Sequence, residues 1–274
     1  RFIDLAVPTL GKLLLLSLAS FLLWSASSHE RYLVDSRQRV LGGLSLILIV
    51  SLLLTRFGFL TAAALGGFFE RTPFNAQESY FFAIPYASVG LMTFLLYGRR
   101  LALVMSLVFS LIAGQFVVGG SLAVVVVALS GSLTAIYFQD ELNRRPGVTR
   151  TGLVVGVANT IATLMMLALE GERLLNLQET ALCLGAAFLG GLLVAAVASF
   201  LLPVLEWALG LTTDMTLIEL SNTNLPLLRR LAFEAPGTFQ HSLMVANLAK
   251  CGCAEIGANA VLAYTGALYH DIGK

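Results

Sequence analysis

The chain has 274 residues, of which 57% are hydrophobic and only 12% are charged. A soluble domain carries about twice that share of charge, and the mean hydropathy of +0.85 is that of a membrane protein. The net charge of +1 gives no basic excess for binding nucleic acid, and three cysteines form no disulfide framework. Composition therefore excludes a soluble enzyme over the whole length and a nucleic-acid-binding protein.

Seven apolar stretches are long enough, or nearly so, to cross a bilayer, which takes about 17–25 residues. They run approximately over Leu10–Ser27, Val40–Phe59, Phe81–Tyr97, Leu101–Val118, Leu122–Phe138, Gly152–Leu169 and Ala181–Leu202. We expect Pro85 to kink the third span and a tight turn at Gly119–Gly120 to separate the fourth from the fifth. The sequence thus predicts an all-α fold that begins with a seven-helix transmembrane bundle.

The arginines of the connecting loops predict the orientation, because basic residues accumulate on the cytoplasmic side of a membrane. Eight arginines follow the odd-numbered spans and three follow the even-numbered ones: Arg31, Arg37, Arg39, Arg99, Arg100, Arg144, Arg145 and Arg150 against Arg56, Arg71 and Arg173. The N-terminus is therefore predicted outside and everything after the seventh span in the cytoplasm. This is the topology of a multi-pass protein of the cell membrane, with lipid as a partner.

The bundle interior has few polar residues, and Asn159 and Gln115 are the main candidates for hydrogen bonds between helices. We find no acidic residue or lysine in the middle of a span, which argues against a transporter or proton pump. Small residues at four-residue spacing, Ala186–Gly190 and Ala187–Gly191, let the seventh helix approach a neighbour closely. Packing inside the bundle is the simpler interpretation, and a homodimer is the alternative.

After Leu205 the sequence mixes charges, turns and amphipathic stretches, which predicts a cytoplasmic all-α region. Helices are expected in "DMTLIELSNTNLP", in "PLLRRLAFEA", in "FQHSLMVANLAKCGCAEIG", which Gly257 closes, and in "NAVLAYTGALYHDIG". We divide the chain into a transmembrane domain at 1–204, a helical linker at 205–235 and the start of a further domain at 236–274. The chain starts without Met, so we expect it to be part of a longer polypeptide.

Three residues of the last two predicted helices have the chemistry of metal ligands: His241, His270 and Asp271. Imidazole and carboxylate are common ligands of divalent transition metals. His241 is expected in the first turn of its helix and the His270–Asp271 pair in the last turn of the next. If the helices pair antiparallel across the turn at Gly257, these ends meet, and the small residues Ala263, Gly266 and Ala267 would allow a close approach. From the residues alone, a metal site and a solvated helix end both stay open.

Cys251 and Cys253 are a weaker metal candidate. Side chains two residues apart on a helix point about 200° apart. We therefore interpret this pair as small helix residues rather than ligands.

The segment "EAPGTFQHSLMVANLAK" followed by "ALYHDIGK" closely resembles the start of an HD-type phosphohydrolase domain. More narrowly, it resembles the seven-transmembrane HD family, the PgpH-type cyclic-di-AMP phosphodiesterases. The upstream "ELSNTNLPLLRRLAFEAPGT" is similar to the way that family joins its last span to the HD domain. The resemblance covers the whole chain, although the membrane part carries a much less specific signal than the HD segment.

This resemblance implies a role for each matching position. His241, His270 and Asp271 would hold two divalent ions, Mn or Fe, with Asp271 bridging them, and Lys274 would contact a substrate phosphate. Asp271 and Lys274 would thus be the catalytic residues of a two-metal phosphodiester hydrolysis. Gln240 departs from the family pattern, in which a histidine often precedes the first ligand.

The substrate implied is a cyclic dinucleotide, with cyclic-di-AMP opened to pApA as the expected reaction. The remaining ligands are expected beyond residue 274, and an extracellular sensor domain with its own ligand is expected before Arg1. The fragment alone is therefore predicted to be inactive and to bind the metal pair weakly or not at all. The alternative is a seven-helix membrane receptor or sensor with a degenerate, nucleotide-binding HD module.

Overall fold

A computed structural model describes residues 37–117, 121–139, 145–170 and 176–273 of the chain. Most of the described residues are helical and they include no β-strand, so the predicted all-α class is confirmed. The first predicted span, the turn at Gly119–Gly120 and Lys274 lie outside the described residues. Contacts divide the chain into two units, Arg1–Leu209 and Gly210–Lys274, a few residues beyond the predicted boundary at 204.

The first unit contains seven α-helices within its described part. They are α1 Arg37–Phe68, α2 Gln77–Tyr80, α3 Ser88–Tyr97, α4 Arg99–Ile112, α5 Leu122–Phe138, α6 Arg145–Glu170 and α7 Leu177–Leu209. A 3-10 turn, Phe81–Ala83, follows α2, and a π-helical turn, Ala113–Val117, extends α4.

Four helical segments of the described chain are long and apolar enough to cross a membrane: Arg39–Phe68, Gln77–Tyr97, Gly147–Leu169 and Leu177–Leu209. The predicted fifth span coincides with the shorter apolar helix α5, and the fourth with α4 and its π-helical turn. All six predicted spans within the described residues therefore fall on helical segments. The total of seven remains a prediction.

Two details differ from the sequence prediction. The second predicted span ends at Phe59, yet α1 continues to Phe68, because the sequence there is rich in alanine and leucine, which favour helix. The third span breaks at Pro85 instead of kinking: Ile84 is extended, with φ −68° and ψ 130°, and α3 starts at Ser88. A residue that precedes proline is driven out of the α conformation by the proline ring.

Small residues bring α6 and α7 together, as their spacing predicts. A Cβ on Gly191 would meet the backbone of Gly156, and a Cβ on Gly190 would meet the carbonyl oxygen of Phe82. Both glycines of the predicted stripe therefore pack within the chain, which is the simpler of the two interpretations.

The predicted interhelical hydrogen bonds of Asn159 and Gln115 are not present among the described residues. Asn159 is buried beside Gly131, but its Oδ1 accepts no hydrogen bond there, and Gln115 is exposed. The Thr151 hydroxyl instead donates to Oε1 of Gln139 at 2.8 Å, joining the start of α6 to the end of α5. The sequence identified polar residues but not which of them face a partner.

The second unit has four helices: α8 Asp214–Leu220, α9 Pro226–Glu234, α10 Pro236–Glu255 and α11 Ala260–Tyr269. All four were predicted. Pro226 opens α9 at its first position, where proline is favoured because its fixed φ suits a helix and its missing N–H is not needed. Leu228, Ala246 and Leu268 form the buried core that α9, α10 and α11 share.

Candidate metal centre

His241 lies on α10, which begins at Pro236. Among the described residues no side chain caps this helix, and its start precedes the predicted helical segment, which begins at Phe239. Proline at the first position makes an earlier start favourable. His241 is consequently in the second turn of α10 rather than the first, with an exposed side chain.

A Schellman motif ends α10 and reverses the chain direction. Gly257 has φ +69°, its N–H donates to the Ala254 carbonyl at 3.2 Å, and the N–H of Ala258 donates to the Cys253 carbonyl at 2.8 Å. This motif favours glycine because a Cβ is strained at positive φ. Asn259 then caps α11 by accepting a hydrogen bond from the Leu262 N–H at 2.9 Å. The sequence prediction of both helix boundaries is thus confirmed.

α11 is fixed to α8 by three side-chain hydrogen bonds along its length. They are Asn259 Nδ2 to Asp214 Oδ1 at 3.0 Å, Thr265 Oγ1 to the Leu217 carbonyl at 3.0 Å, and Tyr269 Oη to the Leu220 carbonyl at 2.7 Å. The partners progress in the same order along both helices, so α8 and α11 run in the same direction. The Tyr269 hydroxyl is protonated at neutral pH, as a phenol ordinarily is, and partial burial raises its pKa further.

The small residues on α11 do not all serve a close approach to α10. Ala267 packs against the core of Leu228, Ala246 and Leu268. Gly266, however, is exposed, and a Cβ built there would meet nothing within 4 Å. The expectation that Gly266 is needed for helix contact is therefore wrong, because it lies on the solvent side of α11.

The antiparallel pairing of α10 and α11 brings the three candidate ligands together. One ligand atom from each of His241, His270 and Asp271 lies within 4.8 Å of the others. The imidazole rings of His241 and His270 have centroids 5.5 Å apart, and His270 Nε2 lies 3.5 Å from Asp271 Oδ2. Asp271 is the most enclosed of the three, with 13% of its side chain exposed against 38% for His270.

The backbone fixes which nitrogen of His270 is available. His270 is the C-cap of α11, and its Nδ1 lies 2.7 Å from the carbonyl oxygen of Ala267. A carbonyl oxygen only accepts hydrogen bonds, so Nδ1 must carry the proton and donate it. In the neutral ring Nε2 then holds the free lone pair, on the side that faces Asp271. In proteins, most metal-ligating histidines are oriented in this way: the ring nitrogen that does not bind the metal donates a hydrogen bond to a neighbouring acceptor.

These residues fit a divalent transition metal. Two ligand atoms about 2.1 Å from one ion lie at most about 4.2 Å apart, so a spread of 4.8 Å requires only a small contraction. Two imidazoles and one carboxylate form a mixed donor set of the kind that iron and manganese accept. A catalytic ion typically has three protein ligands and an open position, and a pair of ions needs more donors than these three.

The remaining sequence candidates are Lys274 and the two cysteines of α10. Lys274 is outside the described residues. Cys251 is exposed, Cys253 is partly buried, and neither belongs to the ligand group. Sequence reasoning missed the orienting role of the Ala267 carbonyl, although a histidine directly after a helix can reach the free carbonyls of the last turn.

Each of the two parts of the chain matches a known protein family. The family described as 7TM receptor with intracellular HD hydrolase matches residues 6–213, and the HD domain family matches residues 238–274. The HD match includes all three residues of the candidate metal centre. No solved structure shows a significant match to the chain.

Relatives with longer chains align with part of the protein. "Cyclic-di-AMP phosphodiesterase PgpH" of Bacillus subtilis is 34% identical over 198 residues, which are 70% of this chain and 28% of that protein. The protein of the same name from Listeria monocytogenes is 40% identical over 148 residues, 54% of this chain and 20% of that protein.

A third relative, "Uncharacterized protein slr0104" of Synechocystis, is 40% identical over 147 residues, 53% of this chain and 18% of that protein. The aligned parts of the chain thus span less than a third of the length of each of these relatives. The match to the membrane family nevertheless covers most of this chain. The chain belongs to the family of 7TM receptors with an intracellular HD hydrolase.

Proposed function

We propose that this chain is part of a membrane-anchored, metal-dependent phosphodiesterase that hydrolyses a cyclic dinucleotide, with cyclic-di-AMP opened to pApA. The convergence of His241, His270 and Asp271 within 4.8 Å is the observation that carries the proposal. All three residues lie in the segment that matches the HD domain family, which supports a hydrolase metal site there. The substrate is proposed from the names of the Bacillus and Listeria relatives.

In this proposal His241, His270 and Asp271 would be among the ligands of two divalent ions, Mn or Fe, with Asp271 as the ligand common to both. Such a pair of ions would supply Lewis acidity for in-line attack on a phosphodiester. The Ala267 carbonyl holds His270 in the tautomer that presents Nε2. Asp271, the most enclosed ligand, brings the negative charge that two cations require. Lys274 is proposed to contact the substrate phosphate and to stabilise charge on the leaving oxygen.

The helical bundle is proposed to anchor this site at the cell membrane with the second unit in the cytoplasm. The distribution of arginines supports this orientation. The exposed apolar side chains of the bundle, among them Leu53, Phe57 and Phe200, are those expected of helices in lipid. We further propose that an extracellular or transmembrane signal controls hydrolysis, and that the 274-residue chain by itself is inactive because the three donors of the candidate centre are too few for two ions.

The test is hydrolysis of cyclic-di-AMP by the longer parent polypeptide, purified in detergent with added manganese. We expect pApA as the product, and a rate lower by more than about 100-fold for Asp271→Ala and His241→Ala. Glu255→Gln is the matched control, because it removes a carboxylate at the exposed end of α10, far along that helix from His241. Glu255→Gln should retain the parental rate.

Cleavage that persists in Asp271→Ala would contradict the assignment of the site. A folded, metal-loaded parent that binds but does not cleave cyclic-di-AMP would instead favour the alternative of a sensor with a nucleotide-binding HD module. Other cyclic dinucleotides then decide whether the substrate or the reaction class was wrong.

A further inference from the structure

A cavity of about 380 Å³ opens at the end of the bundle where α2 and the first turns of α7 meet. Its volume lies within the range of small-molecule sites. Eight of the described residues line it: Ala76, Gln77, Glu78, Ser79, Leu167, Glu179, Thr180 and Cys183. The loops before the third span and after the sixth are both predicted outside, so this cavity is predicted on the outer face. It shares no residue with the candidate metal centre.

Buried, uncharged side chains form the floor of the cavity. The Cys183 thiol donates to the Ser79 hydroxyl at 3.3 Å, across 104 positions of sequence. Ser79, Cys183 and Thr180 are 4%, 4% and 8% exposed, and Leu167 forms an apolar wall at 2%. Each of these polar side chains has a partner within the protein, and a hydroxyl oxygen, with two lone pairs, can still accept a hydrogen bond from a ligand.

The charge of the lining selects the class of ligand. Among the lining residues that the structure describes there are two glutamates and no lysine or arginine. Glu179 lies in the first turn of α7, where Asn176 Oδ1 accepts from its backbone N–H at 3.5 Å and so fixes the start of the helix. An ammonium group has three N–H donors and needs three acceptors. The Glu179 carboxylate, the Thr180 and Ser79 hydroxyls and the Gln77 amide oxygen are acceptors of that kind.

We propose that this cavity binds a primary ammonium group, carried either by a small free amine or by an aminated lipid headgroup at the outer leaflet. The site goes beyond the proposed hydrolase function and does not depend on it. It would supply the bundle with a ligand-binding site of its own on the predicted outer face.

The experiment titrates the detergent-purified 274-residue chain with ethanolamine by calorimetry, with ethylene glycol as the uncharged match. We expect saturable binding of one ethanolamine per chain and none of ethylene glycol. Glu179→Gln should weaken ethanolamine by about tenfold or more, because it removes a charge-assisted hydrogen bond. Glu70→Gln is the control, since Glu70 is an exposed glutamate in the connection after the second span, which is also predicted outside, and is not among the described residues that line the cavity. The Glu70→Gln variant should bind ethanolamine as tightly as the unsubstituted 274-residue chain does.

Nanodiscs distinguish the two sources of the ammonium group. If a headgroup is the natural ligand, phosphatidylethanolamine nanodiscs should abolish the ethanolamine signal and phosphatidylglycerol nanodiscs should retain it. If a free amine is the ligand, both kinds of nanodisc should retain it. Neither readout involves metal or hydrolysis, so failure here is distinct from failure of the proposed function.

Three results would overturn the proposal. One is the absence of saturable ethanolamine binding in detergent and in both nanodiscs. Another is equal weakening by Glu70→Gln and Glu179→Gln, which would show a general surface-charge effect. The third is a Glu179→Gln chain that binds ethanolamine unchanged but melts at a lower temperature. That result would show that Glu179 stabilises the positive end of the α7 dipole instead of binding the ligand. If Glu179→Gln does not fold, Glu78→Gln provides the same comparison within the cavity.

Discussion

The Tyr269 hydroxyl donates a hydrogen bond of 2.7 Å to the carbonyl oxygen of Leu220, 49 positions earlier in the chain. Leu220 is the last residue of α8, so its carbonyl has no partner within the helix. Tyr269 immediately precedes His270. This bond therefore satisfies a helix end and at the same time anchors the residue next to a candidate metal ligand.

Tyr269→Phe is expected to loosen the C-terminal end of α11. Loss of one such hydrogen bond costs about 1 kcal/mol, which corresponds to roughly fivefold faster amide exchange in α11 through local opening. Hydrogen exchange of the full chain, read by mass spectrometry over α11, measures this. Tyr264→Phe is the control, because no hydrogen bond of the Tyr264 hydroxyl is found within the described residues. Equal exchange in both variants would contradict a stabilising role for Tyr269.

Gly257→Ala and Gly252→Ala should have opposite effects on the second unit. Gly257 has φ +69°, where an added Cβ costs about 1 kcal/mol. Gly252 is an exposed position inside α10, and a Cβ there meets nothing within 4 Å, so alanine should stabilise by about 0.5–1 kcal/mol. Amide exchange over α10 and α11 should speed up in the first variant and slow down in the second. A neutral Gly257→Ala would show that the turn between the helices does not depend on the left-handed conformation.

The helices of the second unit were predictable because their boundaries are encoded locally. Pro226 at the start of α9, Gly257 after α10 and Asn259 before α11 each determine the backbone of their immediate neighbours. The convergence of His241 and His270 then followed from two helices and one short turn. No long-range information was needed for that part of the site.

Long-range pairing is what the sequence did not reveal. The hydrogen bonds of Thr265 and Tyr269 to α8 join residues almost 50 positions apart, and they involve backbone carbonyls, which carry no sequence signal. In the bundle, the polarity of Asn159 gave no indication that its Oδ1 faces Gly131 instead of a donor. Side-chain direction depends on the rotation of each helix, which periodicity alone fixes poorly when all faces are apolar.

Gly191→Ala is expected to destabilise the bundle strongly. A Cβ at this position meets the backbone of Gly156 and the carbonyl of Gly152, and backbone atoms cannot move aside as a flexible side chain can. Separating α6 from α7 should cost about 1–3 kcal/mol. Gly185→Ala in the same helix is the control, since nothing lies within 4 Å of its added Cβ. Thermal unfolding in detergent should show a lower melting temperature for Gly191→Ala alone. Equal melting temperatures would contradict the close packing of α6 on α7.

Metal content should distinguish the 274-residue chain from its longer parent. His241, His270 and Asp271 together supply three donors, which are too few to hold two ions through extensive desalting. We expect the chain to retain less than one manganese ion after loading and gel filtration, and the parent to retain two. Metal analysis by inductively coupled plasma mass spectrometry measures both.

Cys251→Ser/Cys253→Ser should leave the metal content of the parent unchanged, because neither cysteine belongs to the ligand group, whereas Asp271→Asn should lower it. Retention of two ions by the 274-residue chain would show that these donors suffice and would overturn the expectation that ligands are missing from it.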